Sequence, residues 1–300
     1  MITRDVEATA LADLLLAPPR AGLAATVDNE IHVLPISLTS EEPADPTSSP
    51  LTLQLPKGTP DLANRNVVVI ADDGPQWFRL RSLTARGTAI AIGDQSYRLM
   101  PKRLVAWDYG SLRYEPTPPE PARPRQPSFS GADDEDMRLL RSPDLALALS
   151  ASRVMILATR SGKGMPFAVP LWFVAHHGRI YATTAASAWT VRNVAAFPEV
   201  AMLLGGESGR GTDRLLVRGR ARAVAGMPPA PVMAGIAWRY YLDPQFAAVE
   251  LRHIRLWGRR VRYYTQSRPA HVIITPQSAT QCSAPTQPPR RDSCTDCTDW

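Results

Sequence analysis

The chain has 300 residues, 44% of them hydrophobic and 21% charged, which suffices for two cores at the usual size of about 100–200 residues per domain. Its net charge of +6 and pI near 9.5 favour anionic ligands, but the arginines are interleaved with Asp and Glu rather than massed in basic runs, so no nucleic-acid partner is expected. No stretch reaches the roughly 18–20 apolar residues of a membrane span, and the N-terminal segment is acidic where a secretory leader would be basic, so a soluble, cytoplasmic protein without a membrane partner is expected.

In chain order, Val6 to Leu16 has apolar residues at helical spacing and predicts a short leading helix, stopped by Pro18 and Pro19. Gly22 to Val27 and Ile31 to Leu38 read as a β-hairpin turning at Asp28-Asn29. After a polar loop, Leu51 to Pro56 begins another strand, Val67 to Ala71 is a β-branched run typical of a strand buried on both faces, and Phe78 to Ile92 alternates as one or two more. Arg103 to Trp107 closes this first unit, residues 1–114. Residues 115–133, proline-dense and then acidic, are expected to be a stiff linker.

The second unit, residues 134–275, predicts strands at Val154–Thr159, Phe167–Ala175, Arg179–Thr184, Val200–Leu204 and Leu215–Ala225. A turn falls at His177-Gly178 and a helix at Ala188–Phe197. Short strands joined by hairpins with one inserted helix argue a small antiparallel barrel. His271 to Gln277 reads as a last strand, and residues 276–300 have the composition of a disordered tail. That tail holds all three cysteines, Cys282, Cys294 and Cys297, so no disulfide framework is expected. Cys294 and Cys297 have metal-pair spacing but lack a recognisable ligand set, so no metal site is assigned.

One pattern of landmarks occurs twice. Each copy has a Leu-Ala-Thr-like strand, an apolar strand carrying Pro35 or Pro170, a small-apolar strand at Val67 or Val200, and an Arg-Gly pair at Arg86-Gly87 or Arg218-Gly219. A repeat longer than the roughly 20–50 residues of stacking arrays means two related domains.

The stretch Tyr181 to Asn193 has the character of a site. A strand ending in Thr183 and Thr184, followed by Ser187 at a helix start, offers hydroxyls and free amides to a phosphate. Equally, Ser187 is the type of residue that simply caps a helix. The first copy lacks this corner: Pro56, Gly58 and Pro60 stand where the second has its helix, so the first barrel is expected to be a structural partner without its own cofactor. The histidines carry no supporting motif, and no triad, paired-carboxylate or Walker-type constellation marks a catalytic side chain.

Residues Arg153 to Val224, and more faintly Gly22 to Ala91, resemble the FMN-binding split-barrel superfamily that includes pyridoxamine 5′-phosphate oxidase. The resemblance implies tandem antiparallel split β-barrels forming an intrachain pseudo-dimer, monomeric or further self-associated. FMN, or alternatively a deazaflavin or haem, would lie in the groove between them. It places the cofactor ring along Val169, Pro170, Leu171 and Trp172, and the phosphate at Thr183, Thr184, Ser187, Thr190, Arg192, Asn193 and Arg214. The lysine common in that corner is absent near Trp189 and Thr190, which weakens an anion site because charge-assisted hydrogen bonds are the stronger kind. The implied function is a flavin-dependent oxidoreductase acting on a small organic substrate, the flavin carrying the hydride. The alternative is a non-catalytic flavin- or haem-binding protein.

Overall fold

The computed structural model describes residues 5–16, 18–40, 47–73, 80–108, 140, 142–206, 213–242, 244–252, 254–258 and 268–285. The predicted linker at 115–133, Cys294 and Cys297 lie outside them.

The first sheet comprises β1 (Asp5–Val6), β2 (Arg20–Val27), β3 (Glu30–Pro35), β4 (Ser37–Ser40), β5 (Leu51–Gln54), β6 (Asn66–Asp72), β7 (Arg81–Gly93) and β8 (Ser96–Asp108). Its order is β3-β2-β6-β7-β8-β5-β4, with β1 paired to β8. The second comprises β9 (Val154–Arg160), β10 (Pro166–Trp172), β11 (Val174–His176), β12 (Arg179–Ala185), β13 (Glu199–Leu204), β14 (Asp213–Ala225) and β15 (Pro269–Ser283), ordered β10-β9-β13-β14-β15-β12-β11. Strand for strand the two orders are the same, and every described pairing is antiparallel. The chain is a tandem pair of split barrels.

The repeated landmarks have a mechanical reason. Gly22 faces Pro35 and Ile156 faces Pro170, which sets one register for both copies. At Arg86/Gly87 and Arg218/Gly219 the long strands β7 and β14 shift register by a bulge. There Gly87 lies opposite Pro101 and Gly219 opposite Pro276, and a Cβ on Gly219 would stand 2.5 Å from the Thr275 carbonyl oxygen. A proline is tolerated inside a sheet at such a bulge, and only glycine admits the close backbone approach. The turns at Asp28-Asn29 and His177-Gly178 take positive φ at both residues, as two-residue hairpins of this hand require.

The helices are α1 (Asp13–Leu16), α2 (Pro143–Ala151), α3 (Trp189–Ala196), α4 (Ala230–Ala237) and α5 (Pro244–Arg252). The predicted leading helix is instead a 3₁₀ turn, Ala8–Leu11, followed by the single turn of α1; Leu11, Leu14 and Leu15 still enter the first core. In the first unit a loop replaces α3. Its Leu55 and Leu62 fill the barrel, and Tyr97 Oη accepts from Leu62 N at 3.2 Å and donates to Asp61 Oδ1 at 3.2 Å.

One predicted boundary requires correction. β15 runs to Ser283, pairing Ser278 to Ser283 with β14, so the tail does not begin at 276. Cys282 is accordingly half-buried in that strand, its Sγ 3.6 Å from the Arg214 carbonyl oxygen, and burial holds its thiol pKa above the usual value. The backbone pairing of β14 outweighs the polar composition that suggested disorder. Between β14 and β15 the second unit also inserts α4, a π-helical turn at Trp238–Leu242 and α5, where the first has only a tight hairpin at Asp94-Gln95.

The barrels meet on an apolar layer. Ala24, Ile31, Val33, Val68 and Ile70 of the first pack with Ile156, Ala158, Ala168, Ala201 and Leu203 of the second. Arg20 spans the joint: it holds Asp72 through Nε and Nη2 at 2.8–3.1 Å and donates from Nη1 to the Val154 carbonyl at 2.8 Å, with Arg20 and Asp72 both almost fully buried. Arg160 donates to Asn29, and Arg218 to Glu30 at 2.6 Å, across the same boundary.

Candidate functional site

β12 ends at Ala185, and the chain turns into α3 through Ala186 N to the Arg268 carbonyl and Ala188 N to the Ala185 carbonyl, both 2.9 Å. The N-cap is Ala188, not Ser187, and no side chain caps the helix. Ser187 is exposed one residue earlier. The cap role foreseen for Ser187 is therefore not filled, and among the described residues no side-chain oxygen caps the first-turn amides of α3. Such amides, with the helix dipole behind them, favour an anion. Thr183 and Thr184, half-buried, sit at the adjoining strand end in register with His271 and Ala270.

The other predicted residues divide. Thr190 and Asn193 are buried, and Asn193 Nδ2 donates to Thr159 Oγ1 at 3.0 Å, which ties α3 to β9. Arg192 lies with its guanidinium carbon 3.8 Å from the centre of the Trp189 ring, a cation–π contact on the helix rather than a hand extended to the corner. Arg214 is not brought to the site. It pairs with Cys282, whereas Thr183 pairs with His271 and His271 with Val224, ten positions further along β14, or about 30 Å at 3.3 Å per residue. Its guanidinium instead packs against Gly206.

Along β10 the alternation of a strand decides which residues face a ligand. Val169 and Leu171 point into the second barrel's core, so they offer a ligand in the groove their backbone rather than their side chains. Ala168, two residues before Pro170, faces the other barrel. Trp172 stacks on Tyr240 with ring centres 4.4 Å apart and planes 4° from parallel. Tyr240 is fully buried and its hydroxyl meets Phe173 N, Phe173 O and Arg153 O at 2.6–2.9 Å. The inserted helices thus cover Trp172.

In the sequence the arginines of residues 77–87 read either as contacts to a ligand across the groove or as solvated, strand-pairing residues. Arg86 reaches across the joint to lie 5.4 Å from the centre of the Phe167 ring. Phe167 is in register with Thr159, whose hydroxyl accepts from Asn193 of α3. A separate cleft of about 1200 Å³ opens between α2, β11 and α4, with Leu145, Leu149, Val174 and Trp238 on its walls; no residue of the corner lines it.

The fold is a tandem pair of split barrels, with a strand-to-helix corner at α3 in the second unit and a loop in its place in the first. Residues 143–252 match the family described as pyridoxamine 5′-phosphate oxidase, and the first barrel repeats the strand order of the second. Among solved structures, the FAD binding protein from Mycobacterium smegmatis is 24% identical, with 35% of this chain and 96% of that one covered at a TM-score of 0.30. An FAD-binding protein from Mesorhizobium loti is 20% identical over 48% and 95% of the two chains, TM-score 0.32. The haem storage protein HutZ from Vibrio cholerae is 16% identical over 49% and 95%, TM-score 0.31. No curated protein matches the chain.

Proposed function

We propose that the protein is a flavin-dependent oxidoreductase that holds FMN, or a deazaflavin, at the groove between its barrels and acts on a small organic substrate. The observation that carries this reading is the side-chain-free N-terminus of α3 beside Thr183 and Thr184, within the segment that matches the pyridoxamine 5′-phosphate oxidase family. A phosphate fits that corner: the α3 amides and the hydroxyls of Thr183, Thr184 and Ser187 supply donors, while Asn193 and Thr190 fix the helix by their burial. When bound, the flavin supplies hydride transfer, and the chain supplies position and electrostatics, in keeping with the lack of an acid–base motif.

The test is titration with FMN, followed by flavin fluorescence and visible absorbance. Ser187→Ala combined with Thr183→Val is expected to weaken binding at least tenfold, since about 1.4 kcal/mol, the worth of one or two hydrogen bonds, gives that factor. Equal affinity in a folded double variant would refute the assignment. One observation favours a non-catalytic flavin- or haem-binding role instead: Arg192 rests on Trp189 rather than extending to the corner. A bound flavin that no hydride donor reduces would support that second reading.

A further inference from the structure

The approximate two-fold axis relating the barrels makes Arg86 and Arg218 equivalent, because each precedes the bulge glycine of its long strand. Counting from Pro35 and Pro170, which occupy one register, Glu30 corresponds to Met165 and His32 to Phe167. Counting from Pro101 and Pro276, which face the bulge glycines, Arg103 corresponds to Ser278. The two arginines therefore stand at the same point of two related grooves with different company.

Arg218 is satisfied. Its Nη1 is 2.6 Å from Glu30 Oε2 and its Nη2 2.9 Å from His32 Nδ1, both across the joint. Arg86 reaches across the joint in the same way and meets the Phe167 ring, with a methionine where Glu30 would be. Its cross-strand neighbour is Arg103, and like charges directly opposite one another destabilise a sheet. Arg86 Nε is buried without a hydrogen-bond partner, and among the described residues no carboxylate pairs with Arg86. Burial first, then Arg103, hold its pKa below the usual arginine value. A half-buried cation beside a second cation, with an unused donor, is a costly arrangement unless an anion completes it.

We propose that Arg86 and Arg103 form an anion-binding site that takes a phosphate or carboxylate group of a ligand in the groove, and that Glu30 fills the equivalent place in the related groove as a built-in substitute for it. The inference rests on the flavin reading only for the groove it shares with the α3 corner, to which Phe167 and Thr159 connect it. One groove is thereby open to an anionic ligand and the other closed by the chain's own carboxylate.

The probe is inorganic phosphate at constant ionic strength, read as the rise in thermal midpoint and its concentration dependence. The wild-type midpoint is expected to rise with phosphate, and Arg86→Gln or Arg103→Gln to weaken the apparent affinity at least tenfold. Arg218→Gln leaves the response unchanged. Without phosphate, Arg86→Gln is at least as stable as the wild type, because the like-charge pair is gone. Met165→Glu, which restores the carboxylate found at Glu30, is expected to abolish the response while keeping both arginines. A phosphate response that is absent, or equal in the wild type, Arg86→Gln and Met165→Glu, overturns the proposal. FMN binding separates the two claims: flavin bound with no Arg86-dependent phosphate response refutes only this site, and an Arg86-dependent response in a protein that takes no flavin refutes only the flavin reading.

Discussion

Arg20 illustrates how much a single side chain carries at the barrel joint. A guanidinium this deeply buried is tolerable only with its charge matched, and Asp72 does so through two nitrogens while the third meets the Val154 carbonyl. Removing one partner of a buried pair leaves the other charge uncompensated and costs about 3–5 kcal/mol. Asp72→Ala is expected to lower stability by that amount in chemical denaturation, more than any single exposed ion pair such as Arg65 with Asp28. At the bulge, Gly219→Ala sets a methyl against the Thr275 carbonyl, a backbone atom that cannot move aside, and is expected to cost about 1–3 kcal/mol by overpacking.

Two histidines give the stability a pH dependence of definite sign. His32 is held below its ordinary pKa of 6.5 by burial first and then by Arg218, opposed by Glu30 and Asp28. His271 is held below it by burial first and by Arg222, opposed by its hydrogen bond to the Gly226 carbonyl. In both cases the unfolded chain takes up a proton more readily than the folded one. The stabilisation is thus complete above about pH 6.5 and is lost as the pH falls from there through the lower folded values. Denaturation midpoints measured between pH 7 and 5 should fall for the wild type and fall less for His32→Gln combined with His271→Gln.

At the scale of elements, β15 decides how much of the chain the second barrel needs. Thr280 to Ser283 pair with Leu216 to Asp213, so ending the chain after Ala279 strips four residues of pairing from β14 and exposes Leu215 and Leu216. A lower thermal midpoint is expected from that truncation, checked by calorimetry against a chain ending after Pro285. The excursion of α4, the π-turn and α5 hangs on Tyr240. Tyr240→Phe removes the hydroxyl that meets Phe173 and Arg153 and is expected to cost about 1–3 kcal/mol, with faster proteolytic cleavage between residues 226 and 268.

Local pattern made the short strands of both barrels legible. Val154 to Ala158 is apolar throughout because β9 is buried on both faces, and Asp28-Asn29 and His177-Gly178 carry their turns in their residue types. The repeat was legible because a bulge that needs glycine leaves a mark at fixed register. Three features were not. The outer half of β15 is polar because its side chains are largely exposed, and a paired exposed strand looks like a tail. The phase of β10 was another: Val169 and Leu171 turn their side chains into the core, and a shift of one residue exchanges core for groove. Arg214 was placed at the corner because sequence order does not reveal how far a 13-residue strand carries the chain.

In the whole molecule, the joint between barrels is specific as well as apolar. Gly22 and Ile156 are equivalent positions that meet at the pseudo-axis, where a Cβ on Gly22 would come 3.0 Å from Ile156 Cδ1 and 3.5 Å from Leu203 Cδ2. The missing side chain on one half makes room for the isoleucine of the other. Gly22→Ile is expected to lower stability by about 1–3 kcal/mol. Ile156→Gly, by contrast, opens a cavity and costs about 2–5 kcal/mol. If Gly22→Ile folded with unchanged stability, the glycine would have no part in matching the halves.

That lone glycine bears on how such a protein can change. In a dimer of identical chains every substitution lands twice, once in each groove, so no groove can lose its ligand without the other losing it too. Joining the copies in one polypeptide removes this coupling. Glu30 can stand where its counterpart is Met165, and a loop can replace a helix in one barrel alone, while the other copy keeps its corner under separate selection.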